Sequence, residues 1–575
     1  MHASSAPWLS HYDAGVPPSL DPYPQRTLID YLDDHVRERP HAAALHFKGA
    51  AISWSQVARE SDALACALAA DGVTQGDRIA LLLPNCPQFV IAQFAAWKLG
   101  AIVAPLNPIY TEAELVEPLV SHDIRTVVTL SRLYPLVQRV RSQTPVRRVI
   151  VGNIKDYFPP LLRLAFTLLR ERRDGDRVVI GPEDHRYIDL LKRYARQRPA
   201  RATLTPDDAA VLLMSGGTTG TPKGALGRHA AYTCTGLQAR AWTVPVLGHG
   251  RSVLMLPLPL FHVYANVGVQ ALSLLTASPI ALVPNPRDLN DVVETVRRVK
   301  PSFFAGVPSL FAGLLNHSAV QQGSVDFKSI KLCLSGSAPL LAETKARFEA
   351  VTGGRIIEGY SLTEAMMALC VNPVHGPNKL GSVGMPLPDV EVRIMDADEG
   401  TTPLPTGEVG EVCFSALQLM VGFWNRPDET AGVLRDHVDG DGVRRLLHTG
   451  DLGYLDEDGY LFIVDRKKDL IKTTGLQVWP REVEEVLATH PAVAEVGVAG
   501  VPDAGRGEAV GAWVVLRPGM TVTKTELRAF CRTRMATYKV PRHVEFRTAL
   551  PKTLVGKVLR RALRDEARSV ADTHT

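Results

Sequence analysis

The stretch Val211-Leu212-Leu213-Met214-Ser215-Gly216-Gly217-Thr218-Thr219-Gly220-Thr221-Pro222-Lys223-Gly224 decides how the chain is read. Its first four residues are a short apolar run of the kind that forms a buried strand. The run ends directly in glycines and hydroxyls. Glycines let the backbone bend sharply and turn its N–H groups toward an anion. Ser215, Thr218 and Thr219 add donors, and Lys223 adds a positive charge. Together these suit a polyphosphate. The spacing does not meet GxxxxGK[ST], nor is it the dinucleotide fingerprint GxGxxG.

On both sides of this loop, strand and helix patterns alternate. Asp30–Arg39, Trp54–Asp71 and Gln88–Leu99 read as helices, while Arg78–Pro84 and Ala101–Pro105 read as strands. The rhythm returns at Ser252–Pro257, Ile280–Val283, Leu289–Val299 and Ser302–Gly306. Such alternation implies parallel sheets covered by helices. From about Leu387 the texture changes. Val390–Met395, Gly410–Phe414 and Tyr460–Val464 look like strands between Gly- and Pro-rich turns, which suggests a β-rich subdomain over about 387–465. A charged stretch, Arg466–Asp469, precedes a compact α+β pattern. Its elements are the helix Pro480–Thr489, the strands Val493–Val501 and Val510–Leu516, and the helix Lys524–Met535. The expectation is a multidomain α/β chain: a large domain over 1–465 and a small α+β domain over 466–575.

The chain has 575 residues, and a single core rarely grows past roughly 250–300, so more than one domain is required. A net charge of +4 is too mild to argue for nucleic acid. Cys66, Cys86, Cys234, Cys333, Cys370, Cys413 and Cys531 are scattered without a CxxC pair, which reads as reduced thiols of a cytoplasmic protein. The start Met1-His2-Ala3-Ser4-Ser5 lacks a basic region followed by an apolar one, so no signal peptide is expected. One segment stands apart. Tyr157–Arg173 is apolar with basic residues toward its end. It fits an amphipathic helix lying in a membrane interface, and equally a surface helix packed on its own domain.

The loop at Ser215–Gly224 resembles the phosphate loop of the adenylate-forming superfamily. Gly216 stands where Ser is common, a form similar to the bacterial long-chain fatty-acid–CoA ligases. Further strings carry the resemblance in order along the chain. They are Pro259-Leu260-Phe261-His262, Ser335-Gly336-Ser337-Ala338-Pro339-Leu340, Glu358-Gly359-Tyr360-Ser361-Leu362-Thr363-Glu364, His448-Thr449-Gly450-Asp451, Asp465–Gly475 and Leu550–Arg560. Leu476-Gln477-Val478-Trp479-Pro480 departs modestly from the usual aromatic or basic residue followed by Asn-Val-Tyr-Pro.

The resemblance implies ATP, Mg²⁺ and CoA as cofactor and co-substrates, and a role for each matching residue. Ser215, Gly216, Gly217, Thr218, Thr219, Gly220 and Lys223 would hold phosphates. Gly336, Ser337, Ala338 and Pro339 would line the adenine, beside Glu358, Gly359 and Ser361, with Tyr360 stacked on it. Thr363 would contact phosphate, and Glu364 would hold Mg²⁺ with Thr218. Asp451 and Arg466 would take the ribose hydroxyls. Lys468 is the implied hinge of a mobile C-terminal domain, Lys472 acts in its second pose, and Gly475 lines the pantetheine tunnel. Lys557 is the implied catalytic cation, and His262 lies by the acyl pocket.

The acyl pocket falls by position near His262–Gly268, Phe303–Leu310 and Ser335–Ala338. No acidic residue sits in the first two stretches, which fits an alkyl chain better than an amino acid. A medium- to long-chain fatty acid is the preferred substrate. An aryl–CoA ligase, a fatty acyl-AMP ligase and an inactive lipid-binding homologue stay open. A homodimer and a peripheral membrane contact through 157–173 are carried as expectations.

Overall fold

The alternating first part of the chain forms two large sheets. One has nine strands, in the order Met385–Pro386, Met367–Val371, Arg355–Leu362, Leu332–Ser335, Phe303–Gly306, Leu254–Leu256, Ile280–Leu282, Ala43–Phe47 and Ala50–Ser53. Its inner strands, from Arg355–Leu362 to Ala43–Phe47, are parallel. The other has eight: Gly422–Phe423, Lys223–Arg228, Ala209–Ser215, Ile102–Leu106, Arg78–Leu82, Thr126–Leu130, Arg148–Gly152 and His185–Arg186. This is a computed structural model, and it describes residues 6–215, 222–250, 252–439, 442–473, 476–503, 507–553 and 558–572.

One helix, Pro87–Lys98, ties the two sheets together. All 12 of its residues are buried, and apart from Gln88, Gln93 and Lys98 they are apolar, as an interior helix demands. Just before it, Asn85 donates to the carbonyls of Leu256 and Leu258 at 3.2 and 2.7 Å. Near its end, Trp97 Nε1 donates to the Ala210 carbonyl at 2.9 Å. The Lys98 ammonium is fully buried, and it donates to Asp62 at 2.6 Å, Ser61 Oγ at 2.7 Å and the Ala58 carbonyl at 2.9 Å. A buried charge is tolerated when it is paired and hydrogen-bonded in this way. The first expected helix starts two residues early, at Leu28. Thr27 caps it, and Asp30 is the return carboxylate of the capping box, accepting from Thr27 N at 2.7 Å. Such a box satisfies backbone donors that the first turn leaves open.

The β-rich segment forms a five-stranded sheet from Glu391–Met395, Gly410–Ser415, Gly442–Leu455, Leu434–Asp439 and Leu461–Arg466. The C-terminal residues form another, ordered Leu476–Val478, Ile471–Thr473, Gly507–Leu516, Val493–Asp503, with His543–Arg547 alongside Gly507–Leu516. The helices Pro480–Ala488 and Lys524–Arg532 pack on this sheet through Val483, Leu487, Leu527 and Cys531.

The chain divides into two compact units. The first takes Met1–Leu380, Gly384–Glu391 and Ser415–Leu447, and the second takes Gly381–Val383, Val392–Phe414 and His448–Thr575. The sequence reading groups 448–465 with the large domain, whereas here those residues belong with the C-terminal ones. A physical reason lies at Asp465, whose carboxylate accepts from Arg481 N and from Arg560, both at 2.8 Å.

Candidate active site

In the first unit the phosphate-loop string bridges a hairpin. Ala209–Ser215 and Lys223–Arg228 pair antiparallel with Ser215 opposite Lys223. Gly216, Gly217, Thr218, Thr219 and Gly220 lie outside the described residues. The two flanking anchors are visible. Ser215 Oγ is buried and without a hydrogen-bond partner among the described residues. Lys223 pairs with Glu429 and sits 5.3 Å from the Phe423 ring centroid. That pairing holds the Glu429 carboxyl below the usual range. Lys223 therefore carries a counter-ion that the sequence does not announce.

Two strand ends supply the next groups. Leu332–Ser335 leads into Ser335–Leu340, and within that loop Ser337 has φ 70°. Residues other than glycine seldom occupy this backbone region. Glu358 braces the loop: its Oε1 accepts from Leu340 N at 3.2 Å. Beyond it, Arg355–Leu362 and Met367–Val371 form a hairpin whose turn holds Thr363 and Glu364. Met420 N donates to the Glu364 carbonyl at 2.9 Å and pins the turn. Both side chains are half-buried. Magnesium in nucleotide sites uses one or two carboxylates with phosphate oxygens and waters. The Glu364 carboxylate on this pinned turn fits that demand. His262 Nδ1 accepts from Tyr264 N at 3.3 Å. A neutral imidazole that accepts at Nδ1 carries its proton on Nε2.

Behind these loops lies an apolar cavity. Tyr264, Gly268, Leu334, Phe303, Met367 and Trp242 are among its walls, and no charged residue lines it. Tyr264 OH donates to the Leu334 carbonyl at 2.7 Å, so the cavity wall continues into the Ser335 loop. Trp242 Nε1 donates to the Asn372 carbonyl at 3.0 Å. Its ring is backed by Tyr12 at 5.1 Å between centroids, edge to face.

The second unit holds another group of candidate residues. Asp451 and Arg466 are cross-strand neighbours, with Arg466 Nε 2.9 Å from Asp451 Oδ1. Gly450, just before Asp451, has φ 69°. A glycine takes that value at no steric cost and so permits the tight bend. Glu411 lies under the bend and accepts from Gly450 N at 3.1 Å. Burial raises the Glu411 carboxyl, but His448 and Lys467 at 3.4 and 3.6 Å bring it below its ordinary value. Nearby positive charge favours the ionised carboxylate. Lys472 is in the strand Ile471–Thr473, paired with Leu476–Val478, and Gly475 lies outside the described residues. Lys557 also lies outside them. Its flanks are anchored: Lys552 and Val558 form a β-bridge, and Leu559 N donates to the Pro551 carbonyl at 2.8 Å.

Residues 32–424 match the AMP-binding enzyme family, and residues 482–557 match the C-terminal domain of the same enzymes. The chain belongs to the AMP-binding enzyme family. It is 38% identical to a long-chain-fatty-acid–CoA ligase of Bacillus subtilis, over 98% of each chain. Against the Escherichia coli O6:H1 ligase of the same name, identity is 34% over 98% of this chain and 99% of the other. Among solved structures, ATP-bound MatB of Rhodopseudomonas palustris superposes with a TM-score of 0.80 at 27% identity, covering 95% of this chain and 100% of that one. The large α/β domain with parallel sheets and the separate C-terminal domain are thus those of an AMP-binding enzyme.

For this AMP-binding enzyme the structure brings Ser335–Pro339, Glu358–Glu364 and His262 to one sheet end in the first unit, and Asp451, Arg466 and Glu411 to one corner of the second. The sequence reading missed Glu411, Glu429, Trp242, Met367 and Arg560. Arg560 ties Glu484 (2.6 Å) and Asp465 (2.8 Å) together three residues after Lys557. Its side chain is 18% exposed. Arg560→Met leaves those carboxylates uncompensated, with an expected cost of about 3–5 kcal/mol. The check is a lower urea midpoint for the transition that reports the second unit.

Proposed function

We propose that this AMP-binding enzyme activates a medium- to long-chain fatty acid with ATP and transfers the acyl group to CoA. The observation that carries the reading is the apolar cavity, without a charged wall, that adjoins the Ser335 loop. The names of the Bacillus and Escherichia relatives support the same substrate.

The acid's carboxylate attacks the α-phosphate of ATP, forming an acyl–phosphate bond as the bond to pyrophosphate breaks. The CoA thiolate then attacks the acyl carbon and AMP leaves. Thr218, Thr219, Lys223 and Thr363 hold phosphate oxygens, Tyr360 and the Ser335–Pro339 loop hold adenine, and Asp451 with Arg466 holds ribose. Glu364 and Thr218 would hold magnesium, which would supply positive charge to the phosphates. Lys557 stabilises the charge that builds during adenylation. We place the hinge at Lys468, with residues 466–575 moving between the two steps and bringing Lys472 and Gly475 into the thiol-transfer pose. The seven cysteines are free and buried, which fits the cytoplasm. Among the described residues no helix is long and apolar enough to cross a membrane. A peripheral contact through 157–173 completes the reading.

The test is a panel of carboxylic acids with ATP and CoA, read by mass spectrometry. Fatty acyl-CoA and AMP should form only when CoA is present. A higher kcat/KM for benzoate or 4-coumarate, or accumulation of acyl-AMP with CoA present, would overturn the assignment. Trp242→Ala opens the wall backed by Tyr12. It should lower kcat/KM for the best acid roughly tenfold and move the optimum to longer chains. An unshifted chain-length profile would remove Trp242 from the acyl site.

A further inference from the structure

The segment Tyr157–Arg173 folds mainly as the helix Pro160–Leu169, and none of that helix is buried. Leu161 is 84% exposed, Leu164 57%, and Leu168 and Leu169 73% each. With the exposed Ala165 they follow i, i+3, i+4, i+7 and i+8, which puts them on one face.

The opposite side is fixed to the protein. Tyr157 is buried, 3.1 Å from the Tyr187 hydroxyl and hydrogen-bonded to Glu60. Phe166 packs edge-on against Phe158 at 5.5 Å, and Phe158 meets Phe47 at 5.9 Å. Thr167 Oγ1 accepts from Lys155 at 3.0 Å. The leucines are therefore presented outward by a helix that is held from behind.

Charge is sorted as well. Arg163, Arg170, Arg172, Arg173 and Arg177 are all exposed. The nearby acids are mostly withdrawn: Glu171 turns back to Lys155 at 2.7 Å, and Asp176 is buried. Asp174 stays by Arg173 at 3.2 Å. What faces outward is an apolar stripe among cations. A two-fold dimer through this face would set these arginines against their own copies. A ten-residue helix is also only about 15 Å long, which is small for a stable protein interface.

We propose that this face docks on an anionic lipid bilayer, with the leucines entering the acyl boundary and the arginines meeting lipid phosphates. The inference rests on the fatty-acid reading for its use, since such a substrate partitions into membranes, but not for its geometry. An apolar face plus a basic patch supplies the two signals that reversible anchoring needs.

The experiment uses the full chain with sedimented vesicles of phosphatidylcholine, with and without phosphatidylglycerol. Binding should be on the order of tenfold or more tighter with the anionic lipid, and should fall as salt is raised. Leu161→Ser/Leu164→Ser/Leu168→Ser and, separately, Arg163→Gln/Arg170→Gln/Arg172→Gln should each lose that binding. Both should turn over octanoate in solution like the parent. Equal binding to both vesicles, or variants that bind like the parent, would overturn the proposal. So would light scattering that shows a dimer dissociated by the leucine variant, because that outcome assigns the face to a second copy. If the acid panel rejects fatty acids while anionic binding and its loss in the variants stand, the substrate reading fails and the surface does not.

Discussion

Lys557→Ala is expected to lower pyrophosphate release from fatty acid and ATP by on the order of 10²–10³-fold, and to leave thioester formation from supplied acyl-adenylate within a few fold. The asymmetry is the content of the prediction. In the first step one anion attacks another, and negative charge builds on the phosphate oxygens, so a fixed ammonium lowers that barrier directly. In the second step the phosphate is already part of a leaving group, and the thiolate attacks the acyl carbon. A lysine that acts only by binding ATP would weaken substrate binding instead. Its loss would then be rescued by saturating ATP, whereas loss of a transition-state cation persists in kcat. The substitution is not expected to unfold the unit. The loop's base is closed by the Lys552–Val558 bridge and by the Lys552–Glu495 ion pair at 2.6 Å, neither of which uses Lys557. Lys552→Ala is therefore the matched control: it removes a neighbouring lysine and its partly exposed ion pair but keeps the backbone bridge and Lys557, so both half-reactions should stay within a few fold of the parent. If both half-reactions survive Lys557→Ala, the assignment is wrong.

The alternation of apolar runs and helical spacings is enough to read parallel sheets, because a strand buried on both faces must be apolar throughout. The same pattern says nothing about which strand lies beside which. Ala43–Phe47 pairs with Ile280–Leu282, far along the chain, and no local signal encodes that choice. The site divides in the same way. Ser335–Leu340 and Glu358–Glu364 are legible as strings because backbone-bending and hydroxyl residues are rare in such runs. Glu429 and Glu411 are not, since a carboxylate that pairs with a distant lysine looks like any surface acid until the fold brings the two together. Trp242 is hidden for a related reason. It lies on the helix His229–Leu247, where an aromatic residue at helical spacing reads as core, and only the cavity shows that it has an open side. The exposed leucines of Pro160–Leu169 are the reverse case. Their composition leaves two readings open, and the exposure of the stripe favours the one in which it meets something outside the chain.

Asp451→Asn is expected to reduce kcat/KM for ATP by about 10²-fold or more. A carboxylate that accepts from both ribose hydroxyls makes two bonds to a charged group, each contributing about 1.5–3 kcal/mol. The amide keeps the size of the side chain and one acceptor but loses the charge. Asp451 also pairs with Arg466 at 2.9 Å, so the substitution disturbs the corner in a second way. The two effects separate with deoxynucleotides. In the parent, 2′-deoxy-ATP and 3′-deoxy-ATP each lack one hydroxyl, and should cost roughly tenfold or more in kcat/KM. In Asp451→Asn the same deletions should cost less than about threefold, because the charged acceptor is already absent and the terms do not add. A purely structural defect, transmitted through Arg466, would lower every nucleotide equally and leave the parent's deoxy penalty intact. That unchanged penalty is the result that would take the ribose away from Asp451.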